Sequence, residues 1–364
     1  MAKTCAVFIP ILTSLKDWEN TGILNRELCL YENHYQKFGT CFIIFTCGNQ
    51  EDKKYEKMFE GITIIPLGID NWISFLTKIL FLPFSYHKLF QSVDIIKVDQ
   101  MWSAWLGLWF SVFFNKKLWA RMGYEHYQLQ CSQDTHFLKR KFVFVLSLLT
   151  YRKASFITVT TENIKDFILE TFGISPEKVH IKANYIDTNL FKRTNPPTIL
   201  DRVLFIGRID KVKNLFGIIE GCKQAGVGLD IIGKGPLKSE LMAYADKLGA
   251  DVQFKGIIPN EELPKTMEKY KLFILASFHE GNPKSLLEAM SMGCVCIATN
   301  VPGIRGLIKD EINGFLSDTT GESLRATIDK AIHKETSQIC DNARKYILEN
   351  NSLDKLIRFE NDLL

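Results

Sequence analysis

Two carboxylates eight positions apart, Glu280 and Glu288, stand in the stretch FHEGNPKSLLEAMSMG that runs from Phe278 to Gly293. Pro283 suits the first turn of a helix, where its missing N–H costs nothing. Gly293 stands where a helix normally stops. The spacing therefore predicts Glu280 on the loop at the mouth of a helix and Glu288 in its second turn. Glu288 is flanked by Leu286, Leu287, Ala289 and Met290, and a charge in that setting needs a partner. Two readings are open. The helix N-terminus attracts a phosphate, because free N–H groups and the helix dipole both point there, while the deeper carboxylate accepts hydrogen bonds from sugar hydroxyls. Alternatively, one carboxylate is a surface group and the other is partly buried and satisfied by a neighbour.

The elements that must position this window carry chemistry of their own. Val203–Ile206 reads as a short buried strand, and Gly207, Arg208, Ile209, Asp210, Lys211, Val212, Lys213 and Asn214 follow it. Gly207 lets the chain turn tightly. Arg208 and Lys213 then fall at the carboxyl end of a strand, where open parallel sheets bind ligands. A guanidinium grips phosphate oxygens through two parallel hydrogen bonds and an ammonium adds a point charge; the alternative is two solvated cations. Leu229–Ile232 is a second apolar strand, and Gly233-Lys234-Gly235-Pro236 after it is a glycine turn that would bring backbone close to a ligand. Further strands are predicted at Val252–Lys255, Leu272–Leu275 and Val295–Ala298, the last followed by Val301-Pro302-Gly303. Strands alternating with helical stretches imply a parallel sheet with helices on both faces.

This order of elements resembles the carboxyl-terminal half of family 4 of the GT-B glycosyltransferases, retaining enzymes that use nucleotide sugars. Arg208 and Lys213 match the family's diphosphate-binding pair, Gly233-Lys234-Gly235-Pro236 its glycine turn, and Glu280 and Glu288 its Glu-x7-Glu motif. Phe254-Lys255-Gly256 ahead of a helix near Glu261, and the late turn and strand Asn313-Gly314-Phe315-Leu316, come in the same order. The likeness is dense from about 200 to 320, and Asn184-Tyr185-Ile186-Asp187 looks like the family's segment at the end of the first domain. It implies an α/β fold of GT-B type, with two Rossmann-like parallel-sheet domains facing a deep cleft. The expected layout is an acceptor-binding domain over 1–185, a linker over 186–201 containing Pro196-Pro197, and a nucleotide-sugar domain over 202–340. A terminal helix in 341–364 is expected to pack back on the first domain.

Bulk properties agree with a two-domain protein. The chain has 364 residues, 46% of them hydrophobic, and a formal net charge of +4 from 45 basic and 41 acidic residues. That balance is too mild to indicate nucleic acid. Nine cysteines are scattered without paired Cys-x2-Cys units, so they read as reduced and mostly packed, in a cytoplasmic setting. No signal peptide is expected, since the chain runs straight into a predicted first strand at Cys5–Ile9.

The amino-terminal half alternates in the same way, with strands predicted at Cys5–Ile9, Cys41–Phe45, Ile62–Ile65, Ile95–Val98, Leu118–Arg121 and Phe156–Val159. A first helix is expected over about Gly22–Phe38. Met101–Phe114, MWSAWLGLWFSVFF, has 14 apolar-rich residues; a span needs roughly 20, so it reads as a buried crossover helix. His136–Thr161 places Lys139, Arg140, Lys141, Arg152 and Lys153 around an apolar FVFVLSLL with no acidic residue. It suits either a helix lying in an anionic membrane interface or a core helix with solvated basic ends. Trp72–Phe90, with Lys78, His87 and Lys88, would extend the same surface and suit a lipid-linked acceptor.

This half departs from the family. Relatives often have two adjacent glycines after the first strand, whereas Asn20-Thr21-Gly22 holds one. Relatives often place a His after the strand that here ends at Arg121; this chain has Met122, Gly123, Tyr124 and Glu125 before His126. Gly22, Arg121, Gly123, Tyr124 and His126 are the candidates for a first-domain cleft. In the second domain Gly306 stands where many relatives have Glu.

The resemblance implies retaining transfer from a UDP- or GDP-sugar to a glycan or lipid-linked acceptor, in surface polysaccharide or glycolipid synthesis. Arg208 and Lys213 would neutralise the departing diphosphate, Glu280 would lie near the donor sugar, and Glu288 would hold the ribose. Gly207, Gly233, Gly235, Gly281, Asn282, Pro283, Lys284 and Ser285 would complete the donor site, and closure of the domains would exclude water. No cofactor is expected, and without an Asp-x-Asp motif no metal is implied. Attack from the front face and a covalent route through a carboxylate are both open. An epimerase on the same architecture and a non-catalytic scaffold are the competing functions.

Overall fold

Apolar runs alternate with amphipathic helices along the whole chain, and this pattern folds into two parallel sheets. The computed structural model describes residues 3–133 and 135–364. The first sheet has seven strands: β1 (Thr4–Phe8), β2 (Cys41–Thr46), β3 (Ile62–Pro66), β4 (Ile95–Asp99), β5 (Lys117–Met122), β6 (Phe156–Val159) and β7 (Val179–Ile181). Their order is β3-β2-β1-β4-β5-β6-β7. The second sheet has six: β8 (Ile199–Ile206), β9 (Gly228–Ile232), β10 (Val252–Gly256), β11 (Tyr270–Leu275), β12 (Val295–Thr299) and β13 (Phe315–Ser317), in the order β10-β9-β8-β11-β12-β13. Strand order reverses between β1 and β4 in one sheet and between β8 and β11 in the other. In open parallel sheets such a reversal leaves a crevice beyond the strand ends that accepts ligands.

The chain divides into one unit of Met1–Ala183 with Ile357–Leu364 and another of Asn184–Leu356. The stretch expected as a linker, 186–201, lies inside the second unit, because Ile186 and Phe191 are buried in its core. Arg193 donates there to the carbonyls of Met292, Glu268 and Tyr270. β8 also begins earlier than its most apolar stretch suggested, at Ile199. The segment 341–364 is split: helix Ser337–Asn350 buries Ile339, Ala343 and Ile347 in the core of the second unit, and only residues 357–364 belong to the first.

The first unit has a polar group at its centre. Lys97 on β4 is fully buried, and its Nζ lies 3.2 Å from Glu360 Oε1 on helix Leu353–Leu363. The ring of Trp119 stands 3.9 Å from the ammonium and that of Tyr31 at 5.2 Å. Unpaired, either charge would be costly in this setting; each supplies the other's partner, and two π faces complete the lysine's surroundings.

The first long helix starts at Leu24 and not at Gly22, which takes φ 71° in the turn after helix Leu15–Asn20. Met101–Phe114 forms a short turn and then helix Ala104–Phe113. Its buried side includes Gly107, where a Cβ would meet Val98 Cγ1 at 2.0 Å, so glycine lets the helix settle on β4. The end of this helix is exposed at Val112 and Phe113. His136–Thr161 forms helix Phe137–Lys153 and β6, and the helix buries Val143, Leu146, Ser147, Thr150 and Tyr151 on one side only.

Candidate functional site

The loops after β8 and β11 border the crevice of the second sheet, and they carry the charged residues singled out in the sequence. The amide of Phe278 donates to the Val212 carbonyl at 2.8 Å and ties the two loops together. Lys213 Nζ then meets Glu280 Oε1 at 2.5 Å, and Ser277 Oγ donates to the same oxygen at 2.6 Å. Both partners are largely shielded, with 14% and 10% of the Lys213 and Glu280 side chains exposed. Arg208 differs: its side chain is 78% exposed and rests 3.2 Å from Asp210 Oδ2. A pair that open is weak, which leaves the guanidinium free to swing. The other oxygen of Asp210, Oδ1, is buried without a partner among the described residues.

The glycines serve the packing of one loop on another. A Cβ on Gly233, whose φ is 146°, would lie 1.8 Å from the Gly207 carbonyl oxygen, and one on Gly235 would lie 2.1 Å from that of Ile209. Ile209 N donates to Lys234 O at 2.9 Å. The turn after β9 therefore braces the loop of Arg208 by backbone contact. Gly303, after β12, does the same for the other loop, since its Cβ would stand 2.0 Å from Glu280 O.

Helix Lys284–Ser291 begins one residue beyond Pro283, which was expected in the first turn and is instead the N-cap, with no side-chain hydrogen bond of its own to the helix. Lys284 Nζ lies 4.9 Å from the centre of the Tyr185 ring. Glu288 is 2% exposed, and Asn260 Nδ2 donates to its Oε1 at 3.0 Å. Asn282 is held by Asn184, whose backbone N–H donates to Asn282 Oδ1 at 3.0 Å and whose Nδ2 donates to Asn282 O at 2.6 Å. Asn351 Nδ2 in turn donates to Asn184 O at 2.8 Å. Gly281 and Ser285 are half-buried on either side of Pro283. Sequence reasoning missed Ser277, Asn260 and Asn184 as supports. Ser277 stood three residues before Glu280 and could have been found from that spacing; Asn184 stood in a segment noted only for its family likeness, and Asn260 has no local signal.

In the first unit the candidates divide. Arg121 NH1 is 2.6 Å from Asp99 Oδ1. Gly123 N–H donates to Gln100 Oε1 at 3.3 Å. Gln100, at the end of β4, holds φ 76° and ψ 158°, a conformation normally left to glycine, and strain of this kind gathers at functional sites. His126 is buried, its ring edge-on to Trp102 at 5.1 Å and close to that of Tyr124 at 5.1 Å. Burial, with Lys139 nearby, pushes it down to about 4, so it is neutral at pH 7. Glu125 caps its helix and accepts from Gln128 N and Tyr151 Oη, at 2.6 and 3.1 Å, while burial pushes its carboxyl up. Gly22 belongs to its own turn and is set apart from this group by sequence and element. Among the described residues no three of His, Cys, Asp or Glu gather as a metal site.

Comparison with known proteins falls on this region. Residues 187–351, which include every candidate of the second unit, match the family described as glycosyl transferases group 1. The chain is 30% identical over 186 residues to the Campylobacter jejuni N-acetylgalactosamine-N,N'-diacetylbacillosaminyl-diphospho-undecaprenol 4-alpha-N-acetylgalactosaminyltransferase, covering 50% of this chain and 51% of that protein. It is 25% identical over 171 residues to the Escherichia coli UDP-Gal:alpha-D-GlcNAc-diphosphoundecaprenol alpha-1,3-galactosyltransferase, covering 42% and 44%. The chain thus spans about half or less of the length of these curated relatives. Among solved structures, Anabaena HepE in complex with UDP and glucose superposes with a TM-score of 0.78 at 17% identity, over 99% of this chain and 98% of that one. The lipopolysaccharide outer core galactosyltransferase WaaB superposes with a TM-score of 0.68 at 18% identity, over 98% and 99%. At these identities the two structures establish a shared GT-B-like fold.

Proposed function

From the match of residues 187–351 to the family described as glycosyl transferases group 1, we propose that the protein is a retaining glycosyltransferase of that family. Its donor is a nucleoside diphosphate sugar, with UDP ahead of GDP because UDP appears in the names of a relative and of a structural neighbour. Its acceptor is a glycan on a lipid diphosphate, as in the names of the two curated relatives, and its place of work is the cytoplasmic face of a membrane. The observation that carries this reading is the placement of Arg208, Lys213 and Glu280 together at the β8/β11 reversal, beside a helix start without a side-chain cap.

The chemistry follows from where charge develops. Breaking the bond between sugar and phosphate leaves negative charge on the leaving diphosphate. Lys213, fixed by Glu280, and Arg208, free to swing in, are cations placed to receive it, with the first amides of helix Lys284–Ser291 adding donors. Because that charge grows as the bond breaks, they stabilise the transition state more than the ground state. Glu288, held by Asn260, accepts from the ribose hydroxyls. Glu280 spends Oε1 on Lys213 and Ser277 and offers Oε2 to the donor sugar. A carboxylate neutralised in this way is a poor nucleophile, which supports attack on the same face as the departing phosphate over a covalent intermediate. No step calls for a metal ion.

The test is transfer from a panel of nucleotide sugars to lipid diphosphate acceptors, with and without chelator, and with the anomeric configuration of the product read by NMR. The reading predicts retained configuration, indifference to chelator, and loss of turnover in Arg208→Ala and Lys213→Ala while both variants stay folded. Inverted configuration, or full turnover in both variants, contradicts it.

A further inference from the structure

The first unit turns a large apolar surface outward. Helix Trp72–Lys78 and the turn after it expose Ile73 (77%), Leu76, Leu80, Phe81 (68%) and Phe84. Helix Ala104–Phe113 adds Val112 and Phe113. Helix Phe137–Lys153 adds Leu138 (66%), Phe142, Val145 and Leu149, which recur along the face opposite its buried side. Ring contacts join the three segments. Phe84 meets Phe113 edge-on at 4.8 Å, and Trp109 lies 5.9 Å from Phe113. Trp105, one turn before Trp109 on the same helix, stacks on Phe142 at 4.5 Å. Single exposed apolar side chains need no explanation, but a connected group of this size marks an interaction site.

Charge indicates what covers it. Residues 71–91, 101–117 and 136–161 together hold nine lysines and arginines and no aspartate or glutamate, in a chain with 41 carboxylates. Lys139, Lys141 and Arg152 are exposed on the long helix and Lys88 on the first segment. A second copy seated on this face would set cation against cation. A bilayer with anionic headgroups satisfies both parts at once: apolar rings enter the acyl boundary, and ammonium and guanidinium groups reach phosphate on flexible stems. We infer that this face is a docking surface for anionic lipid. The face would lie in the interface; no helix among the described residues is long and apolar enough to span a membrane. The inference rests on the transferase reading only in that a lipid-linked acceptor gives the docking its use.

Vesicle flotation of the full chain tests it, with phosphatidylcholine alone and phosphatidylcholine mixed with phosphatidylglycerol. The wild type floats with the mixed vesicles, and less so as salt rises. Phe81→Ser with Leu138→Ser weakens this binding roughly tenfold or more, given the apolar area withdrawn. Lys139→Gln with Lys141→Gln and Arg152→Gln weakens it about fivefold per charge removed, at ~1 kcal/mol each, and only on the anionic vesicles. Absence of wild-type binding overturns the inference, as do variants that bind like the wild type. A wild-type dimer that the apolar double variant dissolves also overturns it, in favour of a second copy. Thermal stabilisation by nucleotide, measured on the same proteins, keeps the two readings apart. Stabilisation without vesicle binding removes the surface and leaves the transferase; vesicle binding without stabilisation does the reverse.

Discussion

The two units share an architecture and invert each other's use of charge. In the second, apolar side chains fill most of the interior, where Asp230 and Glu288 are the buried carboxylates and each is held by a neighbour, and the candidate cations stand on loops at the strand ends, with Lys213 clamped and Arg208 open to solvent. In the first, charge is drawn inward, in Lys97 with Glu360, Asp99 with Arg121, and Glu125, while phenylalanine and leucine face outward. On the proposed reading, a parallel sheet would serve as a frame whose loop ends meet a polar ligand in one unit and whose helix faces meet a lipid surface in the other.

If the inversion is real, substitutions should separate by unit in what they damage. The largest effect is expected in the interior of the first. Glu360→Ala leaves the Lys97 ammonium buried and unpaired and should cost about 3–5 kcal/mol in urea unfolding, whereas Lys97→Met with Glu360→Leu should recover most of it. Equal stability of Glu360→Ala and wild type would mean that Lys97 is hydrated in solution. Next, Lys213→Ala should lower kcat by about 10²–10³, or roughly 2.7–4 kcal/mol, as for loss of a preorganised donor to developing charge, with little change in Tm. Arg208→Ala should act in the same direction.

A pH effect of intermediate size is expected from two buried histidines of the first unit. Burial pushes His34 down to about 4, with Lys97 adding to it, and His126 is pushed down to about 4 as well. Each stays neutral when folded and titrates near 6.5 when unfolded. The stability they contribute is therefore full above pH 6.5 and is lost as pH falls towards 4, on the order of 2 kcal/mol for each. Glu125, pushed up by burial, works in the opposite sense and favours the folded state at low pH. His34→Leu should show a smaller fall in Tm between pH 7 and 4.5 than the wild type; an unchanged fall would place the acid-sensitive groups elsewhere. The smallest effect is in the second unit. Asn260→Ala removes the bond that orients Glu288 and should raise KM for the donor about tenfold, or ~1.4 kcal/mol, with kcat nearly kept. A loss confined to kcat would contradict the ribose assignment.

Much of the second unit was legible in the sequence because its signals are local. Gly207 ends one strand, Pro283 marks the start of a helix, and Glu280 and Glu288 fall on either side of that start. The supports were hidden by distance along the chain. Asn260 reaches Glu288 across 28 residues and Asn184 reaches Asn282 across 98, and no periodicity links such pairs. Lys97 and Glu360 are 263 residues apart, and a lysine inside an apolar strand reads as an edge or a flaw until its partner is seen. The stretch 186–201 read as a linker because Pro196-Pro197 suggested one, while the burial of Ile186 and Phe191 depends on contacts the sequence does not display. The aromatic surface was half legible: composition marked it, but only the fold divided helix Phe137–Lys153 into a buried face and an exposed one.

Whether the β8/β11 crevice holds a nucleoside diphosphate decides the proposed function. A thermal-shift panel of UDP, GDP, ADP and their sugar conjugates, run with and without Mg²⁺ on the wild type, Arg208→Ala and Lys213→Ala, measures this directly. A ligand at about 100 times its Kd adds roughly 2.7 kcal/mol of stability. One nucleotide class, UDP first, should raise the wild-type Tm with no difference from Mg²⁺, and both variants should lose the shift. No shift with any nucleotide, or the same shift in all three proteins, would contradict the proposed function.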